Sequence, residues 1–397
     1  MTAALAPAPA RPPAGAPGPG RARRTARALR LWYGRAVLAA AVLWLLYAVV
    51  RWQVSGRWHW SLPLDVVPPL FLVCVPLLLL VAAAAACGRR RPRAAVVSGL
   101  ALALALTTGS GLNWPALWRD PGPVPAGALR VVSLNTQYWA MATGRDRLVA
   151  LLRARDADVY LLQEHVGWTP GLGEDGYWRI DDDEELRRSF PGYQVARRGE
   201  LLTLSRYPIV GQRLVGPGPD LSFGRETDFG REFARSKVLR TDIRVGDRVM
   251  STYNVHVTAP LALDNLNPFS GFDFDSYLRR KNAWRQEEFE GLERDVQGNG
   301  NPLVIAGDFN ATASMRPIRR LAEVAEDATP ANPSFLPLSW KFASLGEFGD
   351  DELFNRNLPF FRMDWAFTGG GARVHRYELL PTDGISEHRM QELRLTP

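Results

Sequence analysis

Cysteine is nearly absent from this chain of 397 residues: Cys74 and Cys87 are the only two, and both fall in one apolar run. The remainder of the chain therefore has neither a disulfide framework nor a thiolate-ligated zinc site. Lysine is missing altogether up to Arg93, where thirteen arginines face a single acid, Asp65. That segment carries +12 against +7 for the whole chain, so everything beyond Arg93 sums to −5. The pI near 9.7 thus belongs to the N-terminal segment, and the larger part lacks the basic field on which nucleic-acid binding depends. Internal repeats at periods of roughly 20–50 residues are also lacking, which excludes solenoids and propellers.

What the N-terminal part does have is long apolar runs. Residues 1–20 are Ala, Pro and Gly in low-complexity order, followed by Arg21, Arg23, Arg24, Arg27 and Arg30, which predicts a disordered basic tail over 1–30. Three runs follow, Leu31 to Trp52, Val66 to Cys87 and Ala94 to Leu112, each close to the ~20 residues of a spanning helix. They predict a three-helix transmembrane anchor over 31–113. Pro68, Pro69 and Pro76 interrupt the second run, as membrane helices tolerate. A cleaved signal peptide would account for the first run but not for the two behind it. The tail and the loop Gly88 to Arg93 are the arginine-rich flanks, while the first loop has only Arg51 and Arg57. This places the N-terminus in the cytoplasm, the protein as multi-pass in the plasma membrane of a bacterium, and its C-terminal domain outside. Trp residues gather near the run ends, at headgroup level. Residues 114–127, with Asp120-Pro-Gly-Pro-Val-Pro, read as a stiff linker.

From 128 to 397 short β-like runs alternate with amphipathic helices, an α/β pattern. Strands are predicted at Leu129 to Asn135, Val159 to Gln163, Leu201 to Ser205, Lys237 to Val245, Arg248 to His256 and Leu303 to Ala306, and helices at Arg145 to Arg155 and Ser276 to Val296. Gly246-Asp247 marks a hairpin. Nearly every strand ends on a polar residue: Asn135, Glu164, His256, and Asp308 with Asn310. A sheet rim that collects such groups offers hard oxygen ligands for Mg²⁺, or Mn²⁺, and hydrogen-bond donors for a phosphoryl group. That chemistry suits hydrolysis of a phosphate ester.

The segments L-R-V-V-S-L-N, D-V-Y-L-L-Q-E, L-L-T-L-S-R-Y-P-I, Y-N-V-H, I-A-G-D-F-N, R-M-D-W-A-F and S-E-H-R, in this order from Leu129 to Arg389, resemble the endonuclease/exonuclease/phosphatase superfamily. The resemblance implies a four-layer α/β sandwich, two packed mixed β-sheets flanked by helices. It implies that Glu164 and Asn135 hold a metal, that Asp308 orients or deprotonates the attacking water, and that Asn310 binds the scissile phosphate. It further implies that His256 and His388 stabilise developing charge and that Asp364 fixes the tautomer of His388. Gly307 would permit a close backbone approach. The family has Asp before its final His, whereas this chain has Glu387, a longer acid in the same ligand position. The layout of an N-terminal anchor and an outer catalytic domain resembles the VanJ-like teicoplanin-resistance proteins of actinomycetes.

Standing alone, several of these residues have plainer readings. Asn135 could be a turn residue, and His59, His165 and His375 read as structural or surface groups. Arg206 could pair with a surface acid, and Phe269, Phe272, Phe274, Tyr277, Phe354, Phe360 and Phe361 could be loop packing or a lipid-facing lip. Taken together, the pattern predicts a membrane-anchored, metal-dependent phosphohydrolase acting on a lipid-linked phosphate, such as a polyprenyl pyrophosphate or phospholipid headgroup. No obligate protein partner is implied. An anchored extracellular nuclease shares the catalytic residues but not the charge, and a binding or sensing protein that retains the fold without turnover is a third reading.

Overall fold

The computed structural model describes residues 19–86, 90–141, 143–169, 176–216, 229–261, 273–341 and 359–397. The chain divides into two compact units. One comprises Met1–Tyr47 with Cys74–Ala103, the other Ala48–Val73 with Leu104–Pro397.

In the first unit three apolar runs have become helices, α1 (Pro19–Val54, which runs on into the second unit), α2 (Pro69–Ala85) and α3 (Arg90–Thr108). Small residues let them approach: Val37 packs with Ala83 and Ala94, and the Tyr33 hydroxyl donates to the Ala82 carbonyl at 2.9 Å. The expectation of three membrane spans is corrected here. Among the described residues one helix, Arg23–Val54, is long and apolar enough to cross a membrane, or two if the bent pair His59–Asp65 and Pro69–Ala85 is one span. At 17 residues α2 falls short, and α3 spends its first turn on Arg90, Arg91 and Arg93. Helix α1 also starts at Pro19, inside the segment expected as a disordered tail. Residues 1–18 lie outside the described ones.

The second unit is built on two six-stranded mixed sheets. Its strands are β1 (Leu129–Asn135), β2 (Val159–Gln163), β3 (Gly167–Trp168), β4 (Tyr177–Trp178), β5 (Gln194–Arg198), β6 (Leu201–Ser205), β7 (Ile209–Leu214), β8 (Val238–Val245), β9 (Arg248–His256), β10 (Leu303–Asp308), β11 (Glu326–Asp327), β12 (Asp364–Gly369), β13 (Arg373–Leu380) and β14 (Met390–Thr396). One sheet runs β13-β14-β1-β2-β6-β5, the other β11-β12-β10-β9-β8-β7, with β3-β4 a separate pair. Among the described residues only β1/β2 and β9/β10 pair in parallel. These central strands are almost wholly buried because both faces are covered.

Leu129, Val131 and Leu161 of the first sheet meet Ile243, Met250 and Val304 of the second in an inter-sheet core. On the outer face of the first sheet lie Leu148 and Leu152 of α5 (Arg145–Arg155) and Leu186 of α6 (Asp183–Ser189). On that of the second lie Phe289, Leu292 and Val296 of α8 (Phe274–Gln297) and Ile318 and Leu321 of α9 (Arg316–Val324). The order helix, sheet, sheet, helix is the expected four-layer sandwich. Helix α8 forms where apolar residues recur at three- and four-residue spacing, and Asp273 caps it by accepting from the Ser276 N–H at 3.1 Å.

The second unit also takes in chain that precedes residues 114–127. The loop after α1 is part of the second unit: the Ser55 carbonyl accepts from Arg316 N–H at 3.0 Å, the Gly56 carbonyl accepts from Gln286 Nε2 at 2.6 Å, and Leu62 is buried with Tyr277 and Leu278. Tyr277 is thus core packing and not a lipid-facing lip. Buried Asn113 is tied by its Nδ2 to the carbonyls of Thr329, Asn332 and Ser334.

Candidate active site

Strand registry sets the site. In the parallel pair β9/β10, His256 stands opposite Asp308, and in the antiparallel pair β10/β12, Asp308 stands opposite Asp364. In the first sheet Asn135 is opposite Gln163, one residue before Glu164. Strands β1, β2, β9 and β10 end, and β12 begins, at the same rim of the sandwich. Gly307 makes the close approach possible: its φ is +156°, and a Cβ there would lie 1.9 Å from the Val255 carbonyl oxygen.

Asp308 is the focus. Its Oδ2 accepts from Asn135 Nδ2 at 3.1 Å and from Asn310 Nδ2 at 3.3 Å. Two imidazoles face the same oxygen, His256 Nε2 at 3.7 Å and His388 Nε2 at 3.6 Å. Those separations exceed a hydrogen bond, so four N–H groups converge around one point with room between them. Asn310 departs from the extended backbone of β10. Its φ is +46°, which lets its N–H donate to Asp308 Oδ1 at 2.8 Å and its amide reach the Val257 carbonyl at 3.0 Å.

Each histidine is backed by a buried carboxylate. His388 Nδ1 donates to Asp364 Oδ2 at 2.9 Å, the predicted pair. His256 Nδ1 donates to Glu200 Oε2 at 2.8 Å, and Glu200 in turn holds Lys237 Nζ. Burial alone would depress both imidazoles, but Asp364 and Asp308 lift His388 to about 10, and Glu200 lifts His256 above its usual value. Glu200 itself, wholly buried, is kept below the usual carboxylate range because His256 and Lys237 outweigh its desolvation. Sequence reading missed Glu200 and Lys237. The available signal was a charged residue next to Gly199, directly before the apolar strand Leu201–Ser205.

Glu164 sits at φ +57°. Its Oε1 accepts from Asn135 Nδ2 at 2.9 Å and its Oε2 from the Tyr138 N–H at 3.0 Å. The turn α4 (Gln137–Ala140) that supplies this N–H holds four successive non-glycine residues at φ +52° to +54°, a conformation L-residues adopt only at a cost. Desolvation pushes the Glu164 carboxyl above its usual range, against the pull of His256. Glu387 is brought to the rim through its backbone, its N–H donating to Gln137 Oε1 at 3.0 Å.

The donor chemistry fits a divalent cation. Glu164 is a buried carboxylate whose charge lacks full compensation, which a hard cation supplies. Asp308, Asp364 and His388 also bring ligand atoms within 4.8 Å of one another, a set that could hold an ion. Within that trio His388 Nδ1 already bonds Asp364 Oδ2 at 2.9 Å, and we read it as a hydrogen-bonded pair facing Asp308.

The remaining candidates are structural. His165 is buried, 3.0 Å from Asp182 Oδ2 and edge-on to Trp139. His59 contacts Asp275 and His375 contacts Thr396. Arg206 pairs with Asp156. Phe361 is buried against Trp340, while Phe269, Phe272 and Phe354 lie outside the described residues.

Among curated proteins none matches this sequence. Solved structures with a similar fold include an endonuclease/exonuclease/phosphatase family protein from Leptotrichia buccalis, at 14% identity, with 68% of this chain and 100% of that chain covered and a TM-score of 0.44. A 3′ phosphatase from Neisseria bound to product DNA hairpin gives 13%, 68%, 100% and 0.45. A mannosyl-6-phosphatase from Bacteroides thetaiotaomicron gives 15%, 68%, 100% and 0.43. Membership rests on the sequence itself, which matches the Endonuclease/Exonuclease/phosphatase family over residues 132–388. That stretch contains Asn135, Glu164, Glu200, His256, Asp308, Asn310, Asp364 and His388, and the chain belongs to this family of hydrolases acting on phosphate esters.

Proposed function

We propose that this protein is a membrane-anchored phosphohydrolase that uses a divalent cation, Mg²⁺ by preference, to cleave a phosphate ester or pyrophosphate carried on a lipid. One observation carries the catalytic part: Asn135, Asn310, His256 and His388 aim four N–H groups at the space around Asp308 Oδ2. A phosphoryl oxygen placed beside that carboxylate meets the two imidazolium donors, while the two amides stay engaged with Asp308. Asp308 is then the acceptor for the proton of an attacking water, and Asn135 and Asn310 hold its carboxylate in line. Glu200 and Asp364 keep the two imidazoles protonated and oriented. Glu164, with Asn135 and Glu387 beside it, would hold the cation, which when bound neutralises charge building on the phosphoryl group.

The anchor supports a lipid-linked substrate. Trp32, Leu43 and Leu46 of α1 are more than half exposed, a face suited to lipid and not to water. Arginines fill the first turns of this helix, ahead of its apolar part, so a single crossing leaves the catalytic unit outside. Trp58 and Trp60, stacked at 5.4 Å and both exposed just beyond α1, suit the headgroup layer. The charge of −5 beyond Arg93 disfavours DNA as substrate.

The test uses the full chain in detergent with a polyprenyl pyrophosphate, a phosphodiester phospholipid and plasmid DNA, each with Mg²⁺ and with EDTA. Mg²⁺-dependent release of phosphate or headgroup from a lipid is expected, and Asp308→Asn should slow it by about 10² or more. Cleavage of DNA alone would remove the lipid substrate, and turnover unaffected by EDTA would remove the metal.

A further inference from the structure

The catalytic unit holds a second recess, away from Asp308. Its volume is about 510 Å³, within the range of small-ligand sites, roughly 300–1,000 Å³. It lies where Trp52 at the end of α1 and the stretch Leu106 to Trp114 after α3 meet α9 and the outer face of β12. Successive residues of a strand face opposite sides: Asp364 turns to His388 at the active site, while Trp365 lines this recess.

The lining joins apolar rings to two cations. Trp52, Trp114, Trp365 and Ile318 supply the apolar part, Arg319 and Arg362 the charge. Arg362 is 4% exposed and lies 3.6 Å above the Trp365 ring. It gives one Nη to the Thr329 hydroxyl at 2.6 Å. Arg319 gives one Nη to the Trp52 carbonyl at 3.1 Å. The buried Nε atoms of both have no hydrogen-bond partner. The one acid in the lining, Asp327, stands 3.8 Å from Arg362 and already accepts from the Thr329 N–H and hydroxyl. Two guanidinium groups against one carboxylate leave the recess positive, and buried N–H donors without partners are costly to leave so.

We infer that this recess binds an anionic phospholipid, its phosphate on Arg319 and Arg362 and the first part of an acyl chain against Trp52, Ile318 and Trp365. Guanidinium forks match phosphate oxygens, the aromatic and aliphatic walls match hydrocarbon, and Trp52, near the end of a helix long and apolar enough to cross a membrane, lines the recess, as suits a headgroup site. The membrane reading above bears only on where this ligand comes from. The site and its chemistry stand on the residues.

The test measures binding, not turnover, so it is independent of whether the protein proves to be a phosphohydrolase. Full-length protein in detergent is titrated with dihexanoyl phosphatidylglycerol, dihexanoyl phosphatidylcholine and inorganic phosphate, each as a soluble monomer, with tryptophan fluorescence and thermal shift as readouts. Saturable binding of phosphatidylglycerol is expected, at least tenfold tighter than the other two. Arg319→Gln should weaken it tenfold or more. Ala322→Trp, at an exposed position of α9 that lines the recess, should block it by filling the space, and keeps the test decisive if the arginine variant misfolds. Equal binding of the zwitterionic lipid overturns the role of the arginines, and equal binding of phosphate overturns that of the apolar wall. Undiminished binding by folded Ala322→Trp overturns the location.

Discussion

Replacing Glu200 by Gln changes one oxygen for one amide at a wholly buried site, and the consequences separate into two parts. The first is stability: Lys237, with 5% of its side chain exposed, loses its partner and becomes an unpaired buried charge, which costs about 3–5 kcal/mol. The second is catalytic. Glu200 Oε2 lies 2.8 Å from His256 Nδ1, and at an effective dielectric of about 20 such a contact gives a gross attraction of ~6 kcal/mol, roughly a 10⁴-fold change in protonation constant. Burial already opposes the imidazolium, so without Glu200 the His256 ring is neutral at pH 7 and one of the two charged donors facing Asp308 is gone. The expected loss in kcat is about 10²-fold. Adding Lys237→Met removes the stranded ammonium and should restore most of the stability to Glu200→Gln without restoring the rate. The assays are urea unfolding and the pH dependence of kcat/KM on an aryl phosphodiester. In the double variant the alkaline limb attributable to His256 should move to lower pH, because a less favoured imidazolium loses its proton earlier. A double variant that regains wild-type kcat at neutral pH, or whose pH profile does not move, refutes the assignment of Glu200 to His256.

Three further outcomes are expected. Glu164→Gln should abolish any rise in melting temperature on adding Mg²⁺ and lower kcat by about 10², yet leave the metal-free protein at least as stable, because it removes a carboxylate that burial disfavours; differential scanning fluorimetry with and without EDTA checks this. Gly307→Ala drives a methyl group into the Val255 carbonyl and should cost about 3 kcal/mol or more while separating His256 from Asp308, so activity in the folded fraction falls as well. His165 is held below its ordinary value by burial, and Asp182, despite its own burial, is held low by His165 and Arg197. His165 binds a proton more readily when unfolded, so its contribution is present above about pH 6.5 and is lost as pH falls, by up to about 1.4 kcal/mol per pH unit, whereas that of Asp182 persists down to the ordinary carboxylate range. Replacing His165 by Gln should flatten the fall in unfolding free energy between pH 7.5 and 5.5, and an unchanged slope would count against the pair.

The sequence carried the sandwich's strands well, and for a definite reason. Leu129–Asn135, Val159–Gln163 and Leu201–Ser205 are short, largely apolar runs closed by polar residues, and a strand buried on both faces leaves that signature directly. Asp308 was legible because it closes such a run, and Asp364 and His388 because one opens β12 and the other stands just before β14. Glu200 was not, since its meaning depends on β6 lying two strands from β1 and on β9 crossing beneath it, a relation that no local pattern encodes. The three-span anchor was overread for a similar reason. Apolar length alone does not register that Arg90, Arg91 and Arg93 occupy the first turn of α3, nor that Leu62 turns away from any membrane to pack on α8.

The interior between the sheets shows why so polar a rim can be rigid. At the end far from Asp308 the sheets meet through Leu129, Val131, Ile243 and Val304. Toward the rim hydrocarbon gives way to amides that reach across the gap. Asn254 Nδ2 donates to the carbonyls of Leu162 and Leu202, both at 3.0 Å, and accepts from Gln163 Nε2 at 2.6 Å. Gln391 Nε2 donates to the Gly307 carbonyl at 3.1 Å, and the Ser386 hydroxyl donates to the Asn135 carbonyl at 2.7 Å. Apolar contact would tolerate one sheet sliding over the other; hydrogen bonds between fixed backbone carbonyls and buried amides do not, because each lost bond strands a buried polar group. Since Asn135 and Glu164 belong to one sheet and His256, Asp308 and Asp364 to the other, this amide layer sets the distances on which the chemistry depends. It gives the Asn of Y-N-V-H a role as the clamp that holds the two halves of the site in register.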